Sequence, residues 1–212
     1  PVVSILYMLN LLKEEEFKEK YDEFANLSIQ YAQQVINLLE NMLVWGKGQE
    51  DKIKYSPGRY DLADLILTNL SIFKEAADNK AISMNFTQIG NSKAYFDKDL
   101  LDIIIRNLLS NAIKYTPRGG RISILLKDRT ISGEGTVLKV CDNGVGIPQV
   151  KQKYLFTATE IVSTPGTENE KGTGLGLKLC QELIKLNKGT LSVESKEEEG
   201  TCFTVTLPEQ EQ

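Results

Sequence analysis

The chain has 212 residues, enough for one large domain or a smaller one with an appendage. Apolar residues make up 41% and charged residues 25%, so a real core is available, while a net charge of −4 leaves no basic surplus for general nucleic-acid binding. Histidine is absent, which removes the commonest metal ligand and general base. No stretch is long and apolar enough to cross a bilayer and no signal peptide is visible, so the expectation is a soluble, cytoplasmic segment without direct membrane contact. Cys141, Cys180 and Cys202 are odd in number, far apart and set within apolar runs, and they read as reduced core residues.

The chain opens on "PVVSILYMLNLL", where Val2, Ile5, Leu6, Leu9 and Leu12 recur at helical spacing and Pro1 suits a first turn. After the charged "KEEEFKEKYDE", Phe24, Tyr31, Val35, Leu38, Met42 and Trp45 keep a four-three rhythm, with Ser28 as the polar step. The plain reading is an α-hairpin; the sharper one, favoured here, is half of a dimeric four-helix bundle, because one hairpin cannot cover its own apolar seam. "GKGQEDKIKYSPG" reads as a boundary, separating residues 1–48 from a second domain over 53–208.

In the second domain "KIKYS" predicts a strand and Asp61 caps a helix running to about Asp78. "ISMNFTQI" and "KAYFD" predict short strands, and Asp97 caps a helix through Lys114. "RISILLKD" and "TVLKVCD" predict strands around a turn near Gly133. The stretch Asn143–Gly174 is too long for an ordinary connection and is read as functional. A helix near Leu175–Leu186 and the strands "GTLSVES" and "TCFTVTLP" close the chain. Helices segregated from largely antiparallel strands give an α+β, two-layer α/β sandwich.

Three stretches carry candidate chemistry. In "RNLLSNAIKYT", Asn107, Asn111 and Lys114 share one helix face with Tyr115 beside them. A neutral amide carbonyl suits Mg²⁺ and a lysine one turn on suits phosphates; alternatively this is a solvated polar face. In "CDNGVGIP", Asp142 ends a strand and can accept from an exocyclic amine, with Gly144 and Gly146 admitting a flat ring; alternatively it is an Asp-Asn-Gly turn. In "EKGTGLGLKLC", Gly172, Gly174 and Gly176 lead into a helix whose N–H groups can cradle an anion. That stretch lacks the ending of a P-loop and does not follow a strand as a dinucleotide fingerprint would.

Together, in this order, the three stretches resemble the asparagine box and two glycine boxes of the ATP-binding domain of sensor histidine kinases. That superfamily is shared with gyrase, mismatch-repair ATPases and a heat-shock chaperone. The resemblance covers roughly Tyr55 to Pro208, and Phe156 in "YLFTAT" resembles the phenylalanine box. It implies a Bergerat-type domain in which Asn111 coordinates Mg²⁺, Asn107 and Lys114 hold phosphates and Tyr115 lies near the nucleotide. It further implies that Asp142 reads the adenine amino group, that Gly144, Gly146, Ile147 and Phe156 shape the pocket, and that Gly172, Thr173, Gly174, Leu175 and Gly176 meet phosphate. The span between the glycine boxes would be a mobile lid over ATP. This lid has no Lys or Arg between Lys153 and Lys171, so Lys171 is expected to supply its charge, with Ser163 or Thr164 donating hydrogen bonds.

Hydrolases and serine kinases of the superfamily carry a glutamate four residues before the metal-binding asparagine; here that position is Asn107, an amide that cannot take a proton. The resemblance therefore implies a two-component histidine kinase, passing phosphate from ATP to a histidine and on to a response-regulator receiver domain. "PVVSILYMLNLL" resembles the family's phosphoacceptor helix from its proline onward, so the histidine is expected five residues upstream of Pro1. The alternatives are a pseudokinase and a nucleotide-binding or dimerisation module without phosphotransfer.

Overall fold

The computed structural model describes residues 55–128, 135–156, 164–170 and 174–208, together with Asn10, Tyr21, Ala25 and Ser28. The chain divides into two compact units, Pro1–Ile53 and Lys54–Gln212. In the first, the four described residues are helical; the hairpin, its seam and the expected bundle lie outside the described residues.

The second unit begins with β1 (Gly58–Asp61), α1 (Leu62–Asn79), β2 (Ser83–Ile89), β3 (Lys93–Phe96) and α2 (Lys98–Tyr115). It continues with β4 (Arg121–Asp128), β5 (Thr136–Asp142), the short α3 (Gln149–Gln152), α4 (Gly176–Leu186), β6 (Thr190–Lys196) and β7 (Gly200–Leu207). Both long helices start where a carboxylate satisfies their first N–H groups. Asp61 accepts from Ala63 and Asp64, and Asp97 from Asp99 and Leu100. Asp97 is buried because it also ties the segment before β1, accepting from Ser56 N at 2.7 Å.

Five strands form one sheet in the order β2-β4-β5-β7-β6, with β2 and β4 parallel and every other pair antiparallel. A separate ribbon pairs β1 with β3. Strand alternation sends Ile122, Ile124 and Leu126, then Leu138 and Val140, then Phe203, Val205 and Leu207 to one face, all buried. The apolar faces of α1, α2 and α4 supply the other layer: Leu62 and Ile66, then Leu101, Ile104, Ile105 and Leu108, then Leu179, Leu183 and Ile184. Each such side chain contributes about 1.5–3 kcal/mol through burial, so the core fixes α2 on the sheet before any ligand is considered. This is the expected α+β sandwich.

Two expectations need correction. The strand expected at "KIKYS" does not hold for Tyr55 and Ser56, which are irregular with Pro57; the first described strand begins at Gly58, and residues 52–54 lie outside the described residues. Ser56 precedes a proline and spends its N–H on Asp97, whereas the four residues from Gly58 find a partner strand in Lys93–Phe96. The cysteines are not all reduced core residues. Cys141 and Cys202 are register partners on β5 and β7 and form a disulfide. Alternation places them opposite to Val140 and Phe203, on the face away from the helices, where both are half-buried. Cys180 alone fits the expectation: it is fully buried and free, and burial pushes its thiol up to about 12.

Candidate functional site

The end of β5, the second half of α2 and the start of α4 bring together most of the residues singled out by sequence. Asp142 is the last residue of β5 and lies on the helix-covered face, in step with Val140. Its Oδ1 accepts from Gly144 N at 2.9 Å and from Thr201 N at 3.2 Å, so two main-chain donors set the orientation of the carboxyl. Burial pushes this carboxyl up to about 6, against the lowering effect of those two donors. A carboxylate held in this way keeps lone pairs free to accept from a further donor.

The chain after Asp142 turns tightly against the end of α2. Val145 N donates to Tyr115 O at 3.1 Å, and a Cβ on Gly144 would collide with that same carbonyl. Gly146 has φ +67°, the left-handed region, and its Cα approaches Lys196 O so closely that no side chain fits. Ile147 is then pinned from both sides: its N–H donates to Ser195 Oγ at 2.8 Å and its carbonyl accepts from Gln152 Nε2 at 2.6 Å. Phe156 follows α3 at the end of a turn and is half-buried.

On α2, Asn107 donates its Nδ2 to Ile103 O at 2.9 Å, which leaves Oδ1 directed at the start of α4, where a Cβ on Gly176 would strike it. The asparagine box and the second glycine box therefore touch. Asn111 is half-buried, and its carboxamide makes no hydrogen bond with another described residue. Lys114 and Tyr115 point their polar ends at the segment leading into the glycines. Lys114 Nζ donates to Tyr115 Oη at 3.0 Å and to Thr164 O at 3.2 Å, and Tyr115 Oη donates to Thr164 O at 3.1 Å. Helix α4 begins at Gly176 without a side-chain cap on Leu175, and Gly174 has φ +70°. Lys171, Gly172, Thr173 and Ser163 lie outside the described residues.

A Mg²⁺–nucleotide suits this donor set. Among the described residues no group of three or more His, Cys, Asp or Glu side chains could hold a metal by itself. A cation here would take most of its ligands from phosphate and water, with one neutral protein oxygen such as that of Asn111, which is the coordination Mg²⁺ tolerates best.

Residues 96–211 match the model of the histidine kinase-, DNA gyrase B- and HSP90-like ATPase family, more than half of the chain. The chain belongs to that family. Within it, the ATPase domain is of the sensor histidine kinase kind. The adaptive-response sensory kinase SasA of Rippkaea orientalis is 39% identical over 114 residues, 54% of this chain and 28% of that protein. The sensor protein EvgS of Escherichia coli K12 is 30% identical over 213 residues, 98% of this chain and 18% of that protein. Among solved structures, histidine kinase ThkA in complex with response regulator protein TrrA superposes with a TM-score of 0.66 at 20% identity, covering 99% of this chain and 58% of that one. The chain thus spans less than a third of the curated relatives just named.

Several residues of this ATPase domain escaped the sequence reading. Thr201 and Ser195 act on Asp142 and Ile147 from the closing hairpin, and only strand register brings them there. Lys80 is a buried lysine at the end of α1 whose ammonium reaches Glu170 at 2.9 Å. A single lysine after a predicted helix carries no sequence signal, because its partners are far along the chain.

Proposed function

We propose that this chain is the ATP-binding catalytic part of a two-component histidine kinase, whose reaction moves the ATP γ-phosphoryl group to a histidine and then to a response-regulator aspartate. The observation that carries the reading is Asp142: a half-buried carboxyl oriented by Gly144 N and Thr201 N at the mouth of a glycine turn that packs on the asparagine helix. In this reading Asp142 accepts from the adenine amino group, Gly144, Gly146, Ile147 and Phe156 border the ring, and Asn111 ligates Mg²⁺. Asn107, Lys114, Lys171 and the stretch Gly172–Gly176 meet the phosphates, and Tyr115 lies beside the nucleotide. Lys114 reaches a phosphate by exchanging Thr164 O for a phosphate oxygen, which its unbranched stem permits. When bound, Mg²⁺–ATP supplies the phosphoryl group and the charge that neutralises it; the protein positions both.

Transfer rather than hydrolysis is favoured by Asn107. Its amide nitrogen is committed to Ile103 O and the group cannot take a proton, so it does not activate water. The accepting histidine belongs to another segment, since these residues contain none. Residues 1–48 are proposed as part of a dimerisation and phosphotransfer hairpin of a homodimer, on the strength of their apolar seam. The solved kinase–regulator complex supports a receiver-domain partner. A cytoplasmic site of action fits these partners, and among the described residues no helix is long and apolar enough to cross a membrane.

The test is a longer polypeptide that carries the native sequence upstream of Pro1, incubated with γ-labelled ATP. Acid-labile, base-stable label should appear and vanish when the upstream histidine is replaced by glutamine. Nucleotide binding without any such label would favour a pseudokinase.

A further inference from the structure

A buried ammonium ties the last turn of α2 to the segment Thr164–Glu170, alongside hydrogen bonds that join the two directly. Lys80 lies at the C-cap of α1, 5% exposed, and its Nζ has four acceptors within reach. Ile113 O is at 2.9 Å, Thr167 Oγ1 at 2.7 Å and Glu170 Oε1 at 2.9 Å, with Lys114 O the most distant at 3.3 Å. Three hydrogens therefore serve one helix end and two side chains of the other segment. The hydroxyl of Thr167 faces Thr116 O at 2.9 Å and Lys114 O at 3.2 Å, and Thr167 N donates to Lys114 O at 3.1 Å. Glu170 closes its own turn, taking Glu168 N on Oε2 at 2.7 Å while its carbonyl accepts from Gly166 N at 2.9 Å.

Part of this arrangement is helix chemistry. The final carbonyls of a helix lack partners, and a cation there offsets the dipole. Capping alone, however, needs no partner on the second segment. Here the same ammonium takes a carboxylate with a side-chain exposure of 21% whose position in the sequence is two residues before Gly172. Burial would raise the Glu170 carboxyl, but the Lys80 ammonium and the backbone donors outweigh it and hold it below its usual range. Breaking such a pair from one side strands a buried charge, so it behaves as a fixed point rather than a surface contact.

We infer that Lys80 is a positioning residue for the phosphate end of the nucleotide site, clamping the segment that leads into Gly172–Gly176 onto the helix that carries Asn111, Lys114 and Tyr115. Lys80 touches no substrate in this scheme. It acts through Glu170 and Thr167, and it rests on the nucleotide reading given above. Loss of the clamp leaves Thr164–Glu170 tied to the end of α2 only by the bonds of Thr167 and Thr164, which loosens their alignment and weakens contacts to phosphates while leaving the adenine contact at Asp142 in place.

The full chain is titrated with Mg²⁺–ATP and with adenosine, as wild type, Lys80→Met, Glu170→Gln and the double variant. Each single variant should bind ATP about tenfold more weakly, and adenosine within about twofold of wild type. The double variant should lose no more than the worse single, because the two groups act as one unit. Hydrogen exchange at Gly166 and Thr167 gives a readout without nucleotide, and both amides should lose protection in Lys80→Met and in Glu170→Gln. An unchanged ratio of ATP to adenosine affinity in Glu170→Gln, in a chain that does bind ATP, overturns the positioning role even if Lys80→Met fails to fold. Unchanged exchange at both amides overturns the clamp itself. Failure of the wild type to bind ATP, with exchange responding as expected, refutes the nucleotide reading and the positioning role built on it while the clamp stands.

Discussion

Asp142 and Glu170 are both partly buried carboxylates beside the same helix, and each accepts a main-chain N–H of its own turn, yet only Glu170 also takes a cation. Asp142 is oriented by main-chain N–H groups of its own turn and of the neighbouring strand, within a sheet whose ladder fixes every partner. Glu170 is held by a side-chain ammonium from a distant helix. One carboxyl is raised by burial and the other is lowered by its cation despite burial. The proposed adenine end is thus set by the sheet ladder, whereas the segment at the proposed phosphate end is fastened largely by side chains, with one main-chain bond from Thr167 N to Lys114 O. Mutations at the first should act on recognition and those at the second on alignment.

The largest expected effect is at the adenine end. Asp142→Ala removes the carboxylate proposed to read the adenine amino group, and a charge-assisted hydrogen bond to a partly buried group is worth about 1.5–3 kcal/mol, so ATP should bind about ten- to hundredfold more weakly. Calorimetric titration gives the answer directly, and unchanged affinity would remove Asp142 from the site.

A second, smaller effect separates the two carboxylates by pH. The folded value of about 6 for Asp142 lies above its ordinary 3.8, so the native state takes up this proton more readily than the unfolded chain. The stabilising contribution of that proton is complete below about pH 4 and is lost as pH rises through about 6. Adenine recognition runs the other way, because the amino group needs an ionised acceptor. ATP affinity should therefore fall about tenfold between pH 7 and pH 5, with the fall absent in Asp142→Asn. Glu170 has the opposite sign: its lowered value means that its contribution is present above its ordinary value and is lost only in stronger acid. A titration that bends below pH 4 but not near 6 would mean that Asp142 is not the group that matters.

The same contrast explains what could be read from the sequence. The caps at Asp61 and Asp97 and the helix between Asp97 and Tyr115 were legible because each signal is local: an acid, then an apolar stripe at helical spacing. The strands of the main sheet were legible for the same reason. The strand at Gly58–Asp61 was missed because it depends on pairing with Lys93–Phe96, and Ser56 falls outside it because Asp97 draws its N–H away. The disulfide was missed because Cys141 and Cys202 meet only through the register of β5 on β7, 61 residues apart in sequence. At the site, Asp142, the glycines and the asparagines form short motifs. The clamp does not: Lys80 lies 87 residues from Thr167 and 90 from Glu170, and none of the three stands in a pattern.

The smallest expected effect tests the middle of the site, between the two carboxylates. Asn111 lies on α2 one turn after Asn107, and its carboxamide has no hydrogen bond to a described residue that would compete with a ligand. It offers a neutral oxygen, and Mg²⁺ keeps water and phosphate as its principal ligands, so losing one such contact costs less than losing a charge. At about 0.5–1.5 kcal/mol for a neutral polar contact, Asn111→Ala should weaken Mg²⁺–ATP about two- to tenfold. The informative quantity is the ratio of ATP affinity with Mg²⁺ to that with a chelator present. If Asn111 ligates the metal, this ratio should shrink towards one in Asn111→Ala and stay at its wild-type value in Asp142→Ala, where the loss falls equally on both conditions. Equal loss with and without Mg²⁺ in Asn111→Ala would instead make the residue a packing or phosphate contact and move the cation to another oxygen.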